Sequence, residues 1–449
     1  MSWQPEVDEI AYRHALAAKM GGDDKVARHK AAGKLTVRER ITACTDPDSF
    51  TEVGSLTGSG QYDSLGRLVE FTPSNLVMGR ARIGGRPVVV VGDDFTVRGG
   101  ASDGAVGDKL IFAEKMAHDL RLPMVRLVDG TGGGGSVRNI ETKGYTSVPT
   151  MKVWSQVVEN LSTVPVVSLA LGSVAGMGAA RVASSHYSLM VKGTAQLFNA
   201  GPPVVARIGQ NVTKEELGGS QIHTRNGVVD DEVASEEEAF ERVRRFLSYL
   251  PPSVHGLPAR GEVGDDAARR DEWLLSAIPR DGRKVYKIRP IVECLVDQGS
   301  FLEMGRQWGR AIVTGLARID GWPVAVMASD DTQFTVVSGA VAVGISGAGA
   351  AGFAGMSIPL WSIPSIALSG AAAEAAGASD FAGMSIALWS MPSIDCMPAS
   401  GVADAGEPWP ICEWSIPCIA GVAVPEVSAL LLWWLSVTSS LYPANADGN

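Results

Sequence analysis

The run from Gly172 to Gly201, GSVAGMGAARVASSHYSLMVKGTAQLFNAG, has residue types and spacing that suit one kind of chemistry. Its approach, Val164 to Leu171, reads as a buried strand, and Ala175 to Ala183 is compact and free of proline, as the first turns of a packed helix should be. Backbone N–H groups at such a helix start have no partner inside the helix and point outward with the positive end of its dipole. A developing oxyanion can be held there without any side chain. The same glycines also fit a plainer role, letting a helix pack closely on a strand. The turn alone does not choose between the two.

The elements that must carry this turn follow from the rest of the chain. At 449 residues there is room for two domains with sizeable cores. The formal charge of -10 argues against nucleic acid or an anionic membrane as the main partner, while leaving room for a local cationic cluster that takes a polyanionic small molecule. Met1 to Met20 is charged throughout, unlike a secretory signal, and the apolar run Val427 to Val437 is about half the length of a bilayer span. The five cysteines are sparse and lack CxxC spacing, and the six histidines lie singly, so a reducing, cytoplasmic setting and no metal site are expected.

One order of elements occurs twice. Lys34 to Ile41 (KLTVRERI), Asp48 to Val53 (DSFTEV) and Gly79 to Val91 (GRARIGGRPVVVV) are matched by Lys287 to Ile291, Gly299 to Met304 and Gly315 to Val326 (GLARIDGWPVAV). Each set predicts a helix, a turn with Ser-Phe and an acid, then two strands joined by a tight Gly-Gly or Asp-Gly turn. Two homologous halves are the economical explanation, with the polar stretch Leu250 to Asp281 between them. In the first half, an amphipathic helix is expected over Asp103 to Leu122, capped by Ser102 or Asp103. A strand over Met124 to Val128, the glycine loop Asp129 to Ser136 and a helix over Thr150 to Leu161 follow. Asp230 to Glu232 and Ser235 to Glu238 are expected to open a helix reaching Tyr249, acids suiting its start. Strands alternating with helices through short joints give an α/β layer stack.

The end of the chain differs. All 39 Lys and Arg lie at or before Arg318, and the 131 residues after it carry eleven acids and no histidine. Within that tail, Phe353 to Ile366 recurs 28 residues on as Phe381 to Ile394. Such a composition fits an out-of-frame or artificial segment as well as a native one, and translation of the DNA in the other two frames after the codon for Asp331 separates these.

Taken together and in order, GKLTVRERI, DDFTVRGGAS, GSVAGMGAARVAS, LFNAGPPVV and VTKEELGGSQIHTRNGVVD resemble the carboxyltransferase (β) subunit of the biotin-dependent acyl-CoA carboxylases, from about Gly33 to Asp330. The resemblance implies an α/β fold of tandem crotonase-like ββα-spiral domains, the second atypical or incomplete here. The expected division is an acyl-CoA-side domain over 1–255, a linker over 256–282 and a biotin-side domain over 283–449, atypical after 331. It implies transfer of a carboxyl group from carboxybiotin, carried on a partner subunit, to the α-carbon of an acyl-CoA. The thioester enolate would be stabilised by backbone donors at Gly176 and Met177, with biotin taking the α-proton, so no side-chain base is needed. By the same resemblance, Gly99, Gly100, Gly132, Gly133 and Gly178 lie against acyl-CoA. Arg80 and Arg82, with Arg38 and Arg40, are candidates for its phosphates, and His223 is structural. A biotin carboxylase and carrier partner and a hexamer are also implied.

Gly130 to Gly135 satisfies GxGxxG in form, but Gly144 and Pro149 interrupt what a dinucleotide fold would make a long helix. The basic motif expected on the biotin side is absent after Arg318, so no biotin-site residue is assigned. Two other readings stand beside the first. One is a non-catalytic companion subunit that keeps the acyl-CoA domain. The other is a crotonase-type hydratase or decarboxylase, which needs a carboxylate near Gly176, where the nearest acid of that stretch is Glu159.

Overall fold

The computed structural model describes residues 2–101, 108–130, 141, 144, 153–266 and 268–330, together with the backbone of 341–345. Helices α1 (Gln4–Ala18) and α2 (Asp23–Ala31) precede α3 (Val37–Cys44). A capping box fixes the start of α3: Thr36 Oγ1 accepts the Glu39 amide, and the Glu39 carboxylate accepts the Thr36 amide at 2.9 Å. Strands β1 (Thr51–Glu52), the hairpin β2 (Gly58–Tyr62) and β3 (Leu68–Pro73), then β4 (Leu76–Ile83) and β5 (Arg86–Asp93) follow. The turn between β4 and β5 is Gly84-Gly85, both at positive φ, as the Gly-Gly signal predicts.

From β5 the chain winds as βαβ. Helix α4 (Lys109–Leu120) leads to β6 (Met124–Val128), and α5 (Trp154–Leu161) to β7 (Val166–Ala170). The short β8 (Ser173–Ala175) then opens α6 (Met177–Ala183), followed by β9 (Tyr187–Val191), β10 (Gln196–Phe198), α7 (Lys214–Gly218), β11 (Asp231–Val233) and α8 (Glu236–Tyr249). The main sheet runs β1-β4-β5-β6-β7-β9-β11, parallel from β5 onward, and β8 pairs with β10 apart from it. Strands β6, β7 and β9 are buried along their whole length, as parallel strands covered on both faces must be.

The expected α4 is confirmed over Lys109–Leu120, while its proposed caps, Ser102 and Asp103, lie outside the described residues. One boundary is corrected. Asp231 to Val233 is a strand, and the helix begins only after Ser235, whose side chain accepts the Glu238 amide. Tertiary partners override the helix-start signal of these acids. Tyr187 Oη donates to Asp231 at 3.0 Å, and the Ser188 amide donates to Asp230 at 2.7 Å.

The duplicated pattern is built with the same contacts. Helix α9 (Ile288–Leu295), β12 (Leu302–Met304), β13 (Ile312–Ile319) and β14 (Trp322–Ser329) repeat α3, β1, β4 and β5. Asp46 accepts the amides of Gly84 and Gly85 at 2.8 and 2.7 Å, and Asp297 accepts those of Asp320 and Gly321 at 2.9 and 2.7 Å. Arg38 pairs with Glu52 at 2.8 Å, and Arg289 with Glu303 at 2.6 Å. A Cβ on Gly79 would lie 2.2 Å from the Thr51 carbonyl, and one on Gly315 2.3 Å from that of Leu302.

The second unit has its own apolar cluster around Val292, Val313 and Val326, while Leu302 joins the first core. It also departs from the first. The neighbour of β5 is the parallel β6, whereas that of β14 is β15 (Val341–Ile345), which is antiparallel.

Because the two glycines sit in matching places, Gly79→Ala and Gly315→Ala should each destabilise the chain by roughly 1–3 kcal/mol, since edge strands β1 and β12 must shift. Denaturant unfolding measures this. A cost at only one position would mean that the two edges are packed differently.

Candidate active site

The C-terminal ends of parallel strands are where an α/β sheet places its ligands, and here three ends converge. After β5 come Arg98, Gly99 and Gly100, all at positive φ; after β6 comes Gly130 at φ +106; after β7, Gly172 leads into β8 and Gly176 at φ +58. A Cβ on Gly130 would lie 2.4 Å from the Gly99 carbonyl, and one on Gly172 2.0 Å from Oδ1 of Asp129. The Gly130 carbonyl accepts the Ala175 amide at 3.2 Å. The structure thus brings Gly99, Gly100 and the Gly176 turn together through Gly130.

At the turn itself the donors differ from those expected. The Gly176 amide is taken by the Phe198 carbonyl at 3.0 Å, because parallel pairing of β8 with β10 continues one residue into the turn. The first bond of α6 runs from the Ala180 amide to the Gly176 carbonyl. The amides of Met177 and Gly178 have no acceptor among the described residues, and Gly178 is buried while Met177 is half-buried. Gly132 and Gly133 lie outside the described residues. His223 donates from Nε2 to the Leu197 carbonyl at 2.8 Å, bracing β10 behind the turn.

Beneath the turn lies a buried charge network. Arg40, 1% exposed, binds both oxygens of Glu236 at 2.8 Å, Asp129 at 2.9 Å and the Leu171 carbonyl at 3.1 Å. Lys34 approaches the other Asp129 oxygen at 3.5 Å. Next to it, Arg126 is paired with Glu114 at 2.9 and 2.8 Å and donates to the Arg181 and Ser184 carbonyls of the α6 segment. Asp93 accepts the Asp129 amide at 3.3 Å and lies 3.7 Å from Arg181; burial pushes its carboxyl up to about 6 against the pull of Arg181. Asp93 and Asp129 are therefore enclosed and engaged, and Glu159 is exposed on α5, bonded to Gln156.

Beside Gly99 opens a cleft of about 580 Å³, lined by Lys25, Arg28, Lys34, Arg98 and Lys214 with Phe95 and Ser173, and by no carboxylate among the described residues. Its aromatic wall is Phe95, stacked on His29 at 5.7 Å and covered by Lys34 Nζ 5.3 Å from the ring centroid. Lys214 donates to Ser173 Oγ at 3.2 Å, linking the cleft to the start of β8. Such a surface suits a polyanion with an apolar or aromatic part.

The arginines proposed from the sequence do not line this cleft. Arg80 is exposed on β4, Arg82 donates to the Gly85 carbonyl at 2.7 Å inside its own hairpin turn, Arg38 is paired with Glu52, and Arg40 is buried. Among the described residues, no three His, Cys, Asp or Glu side chains are grouped to hold a metal ion, and no helix is long and apolar enough to cross a membrane.

Residues 28–381 match the model of the carboxyl transferase domain. The chain belongs to the carboxyl transferase domain family. Among its relatives are a propionyl-CoA carboxylase carboxyltransferase subunit of Haloferax mediterranei, 29% identical over 73% of this chain and 63% of the relative, and the β5 subunit of a biotin-dependent acetyl-/propionyl-coenzyme A carboxylase of Mycobacterium tuberculosis, 31% identical over 70% and 58%. The transcarboxylase 12S hexamer, solved with hydrolysed methylmalonyl-coenzyme A bound, superposes with a TM-score of 0.64 at 26% identity, over 74% of this chain and 63% of that one. The fold is thus the crotonase-like one. The chain spans about three fifths of the length of these relatives.

Removing Arg40 strands Asp129 and Glu236 in the core. Arg40→Leu should cost about 3–5 kcal/mol of unfolding free energy, whereas Arg80→Leu should stay within about 0.5 kcal/mol. Urea unfolding compares them, and equal effects would contradict the buried network.

Proposed function

We propose that the chain is the carboxyltransferase component of an acyl-CoA carboxylase. The observation that carries the reading is a cationic cleft, lined by Gly99 and by Ser173 of the strand that leads to the glycine turn and by no carboxylate among the described residues, in a chain of the carboxyl transferase family. The CoA phosphates would lie among Lys25, Arg28, Lys34, Arg98 and Lys214, and the thioester would pass Gly99 and Gly100 to reach the turn. There the free amides of Met177 and Gly178 face the charge that builds on the thioester oxygen as the α-proton leaves; one such donor contributes about 3–4 kcal/mol to the barrier. The Met177 side chain would turn away from the thioester.

Carboxybiotin on a partner carrier would supply the carboxyl group and, once decarboxylated, a base for the α-proton. No residue of the described chain is assigned to it. The proposal includes residues 1–255 as the acyl-CoA side, 256–282 as linker and 283–449 as the biotin side. A biotin carboxylase and carrier partner, a hexameric assembly and a cytoplasmic location belong to the same reading.

The antiparallel β15 favours one second reading, a companion subunit that binds acyl-CoA without turning it over. The hydratase reading is weakened because Asp93 and Asp129, at the ends of β5 and β6, are enclosed.

Purified chain with free biotin should decarboxylate methylmalonyl-CoA or malonyl-CoA, followed as loss of the carboxylated thioester. CoA binding without turnover would establish the companion reading, and absence of both would reject the two together. Lys34→Glu with Arg98→Glu should weaken CoA binding by at least about tenfold at low salt, with the difference shrinking as salt rises. Calorimetric titration reads it, and unchanged affinity would place CoA elsewhere.

A further inference from the structure

Asp93 ends β5 beneath the turn, 2% exposed, and its two oxygens reach different walls of the site. Oδ1 lies 3.7 Å from Nη1 of Arg181 on α6. Oδ2 accepts the Asp129 amide at 3.3 Å, one residue before Gly130, whose carbonyl holds the Ala175 amide. The backbone of Arg181 is fixed by its neighbours, its carbonyl accepting from Arg126 at 3.2 Å and from Ser168 at 3.3 Å. Its side chain is held more sparsely, since Nε is buried without a hydrogen bond among the described residues. The Asp93 carboxylate therefore spans α6 and the end of β6.

We propose that Asp93 is a positioning residue for the acyl-CoA turn: its carboxylate sets Arg181 and, through Arg181 and the Asp129 amide, the angle at which the first amides of α6 are held at the turn. This rests on the reading of that turn given above.

The charged groups acting on Asp93 are Asp129, directly after β6, and Arg181 from α6, with Lys34 and Arg40 acting on Asp129 and Arg126 on Arg181. Burial raises its carboxyl from 3.8 to about 6, while Arg181 and the Asp129 amide pull it down and the Asp129 charge pushes it up. A raised value in the folded chain means that the proton is held more tightly there than in the unfolded chain. Folding is thus favoured as pH falls from about 6 towards 4, while the ion pair with Arg181 is lost over the same range. Stability and positioning move in opposite directions, which a purely structural carboxylate would not show.

Asp93→Asn imitates the neutral form. At pH 7.5 its Tm should equal or exceed that of the parent. Its kcat in the methylmalonyl-CoA assay should fall about tenfold with KM within about twofold, because misplaced donors cost rate rather than binding. The parent kcat should rise with pH through a midpoint near 6, and the variant should lack that limb. A lowered Tm with the limb intact, or an unchanged kcat, overturns the proposal. The ¹³C-methyl signal of Met177 reads the turn without catalysis: it should titrate near pH 6 in the parent and stay fixed in the variant. If Met177 titrates so while neither form turns over any acyl-CoA, the positioning role stands and the carboxyltransferase reading falls. A parent Met177 signal that does not move near pH 6 overturns the proposal even if the variant fails to fold.

Discussion

Three parallel strand ends meet beneath the turn more closely than any side chain allows. A Cβ on Gly130 would stand 2.4 Å from the Gly99 carbonyl, and one on Gly172 2.0 Å from Asp129 Oδ1 and 2.4 Å from Lys34 Nζ. Glycine at these points is thus a packing requirement before it is a functional one. With the glycines in place, backbone packs directly on backbone at this junction, and the amides of Met177 and Gly178 at the start of α6 are left without an acceptor among the described residues. The plain reading of the turn, close packing of a helix on a strand, and the proposed chemical one therefore do not compete for the same glycines.

The approach has an electrostatic consequence. Asp129, directly after β6, is fully buried, and an isolated charge there would be untenable. Arg40 answers it from α3, and because a guanidinium has five donors in a fixed fork it also binds Glu236 and the Leu171 carbonyl. One side chain ties α3, β6, α8 and the strand leading to the turn. Lys34 approaches the remaining Asp129 oxygen while standing over Phe95 in the cleft, so the buried carboxylate helps fix a cation at the surface. A chain of net charge -10 accordingly presents a cleft with five cations, since composition sums over a surface that the fold has sorted.

What the sequence reveals follows the range of each interaction. The Gly84-Gly85 and Asp320-Gly321 turns and the strand over Met124 to Val128 are decided within a few residues, and all are legible. The duplication is legible because each copy carries the same local signals in the same order, a Ser-Phe turn with an acid and a tight hairpin turn before a Pro-Val strand. Asp231 is misread because its partner, Tyr187, lies 44 residues away. The cleft is misread for the same reason: its cations come from α2, the segment before α3, the DDFTVRGGAS loop and α7, and no linear pattern unites them. Arg40 and Arg38 are two residues apart in one motif, yet one is core and the other pairs with Glu52. Helix phase separates them, and only the packing of α3 says which face is inner.

The two units show how far a shared fold carries a shared site. They agree up to matched residues, with the Asp94 amide held by the Asn75 carbonyl and the Asp330 amide by that of Ala311, both at 2.8 Å. Beyond this point the direction of the next strand decides. A parallel neighbour has to cross over and return, so β6 delivers its C-terminal end, with Asp129 and Gly130, beside the end of β5. The antiparallel β15 places its first residue, Val341, opposite Ala328 and runs back toward Val324. Its beginning lies where the end of a parallel strand would be. The described second unit therefore repeats the hairpin, its aspartate brace and its edge glycine, but lacks the strand direction that builds the glycine junction in the first. The junction belongs to the crossover, which the described residues of the second unit do not include.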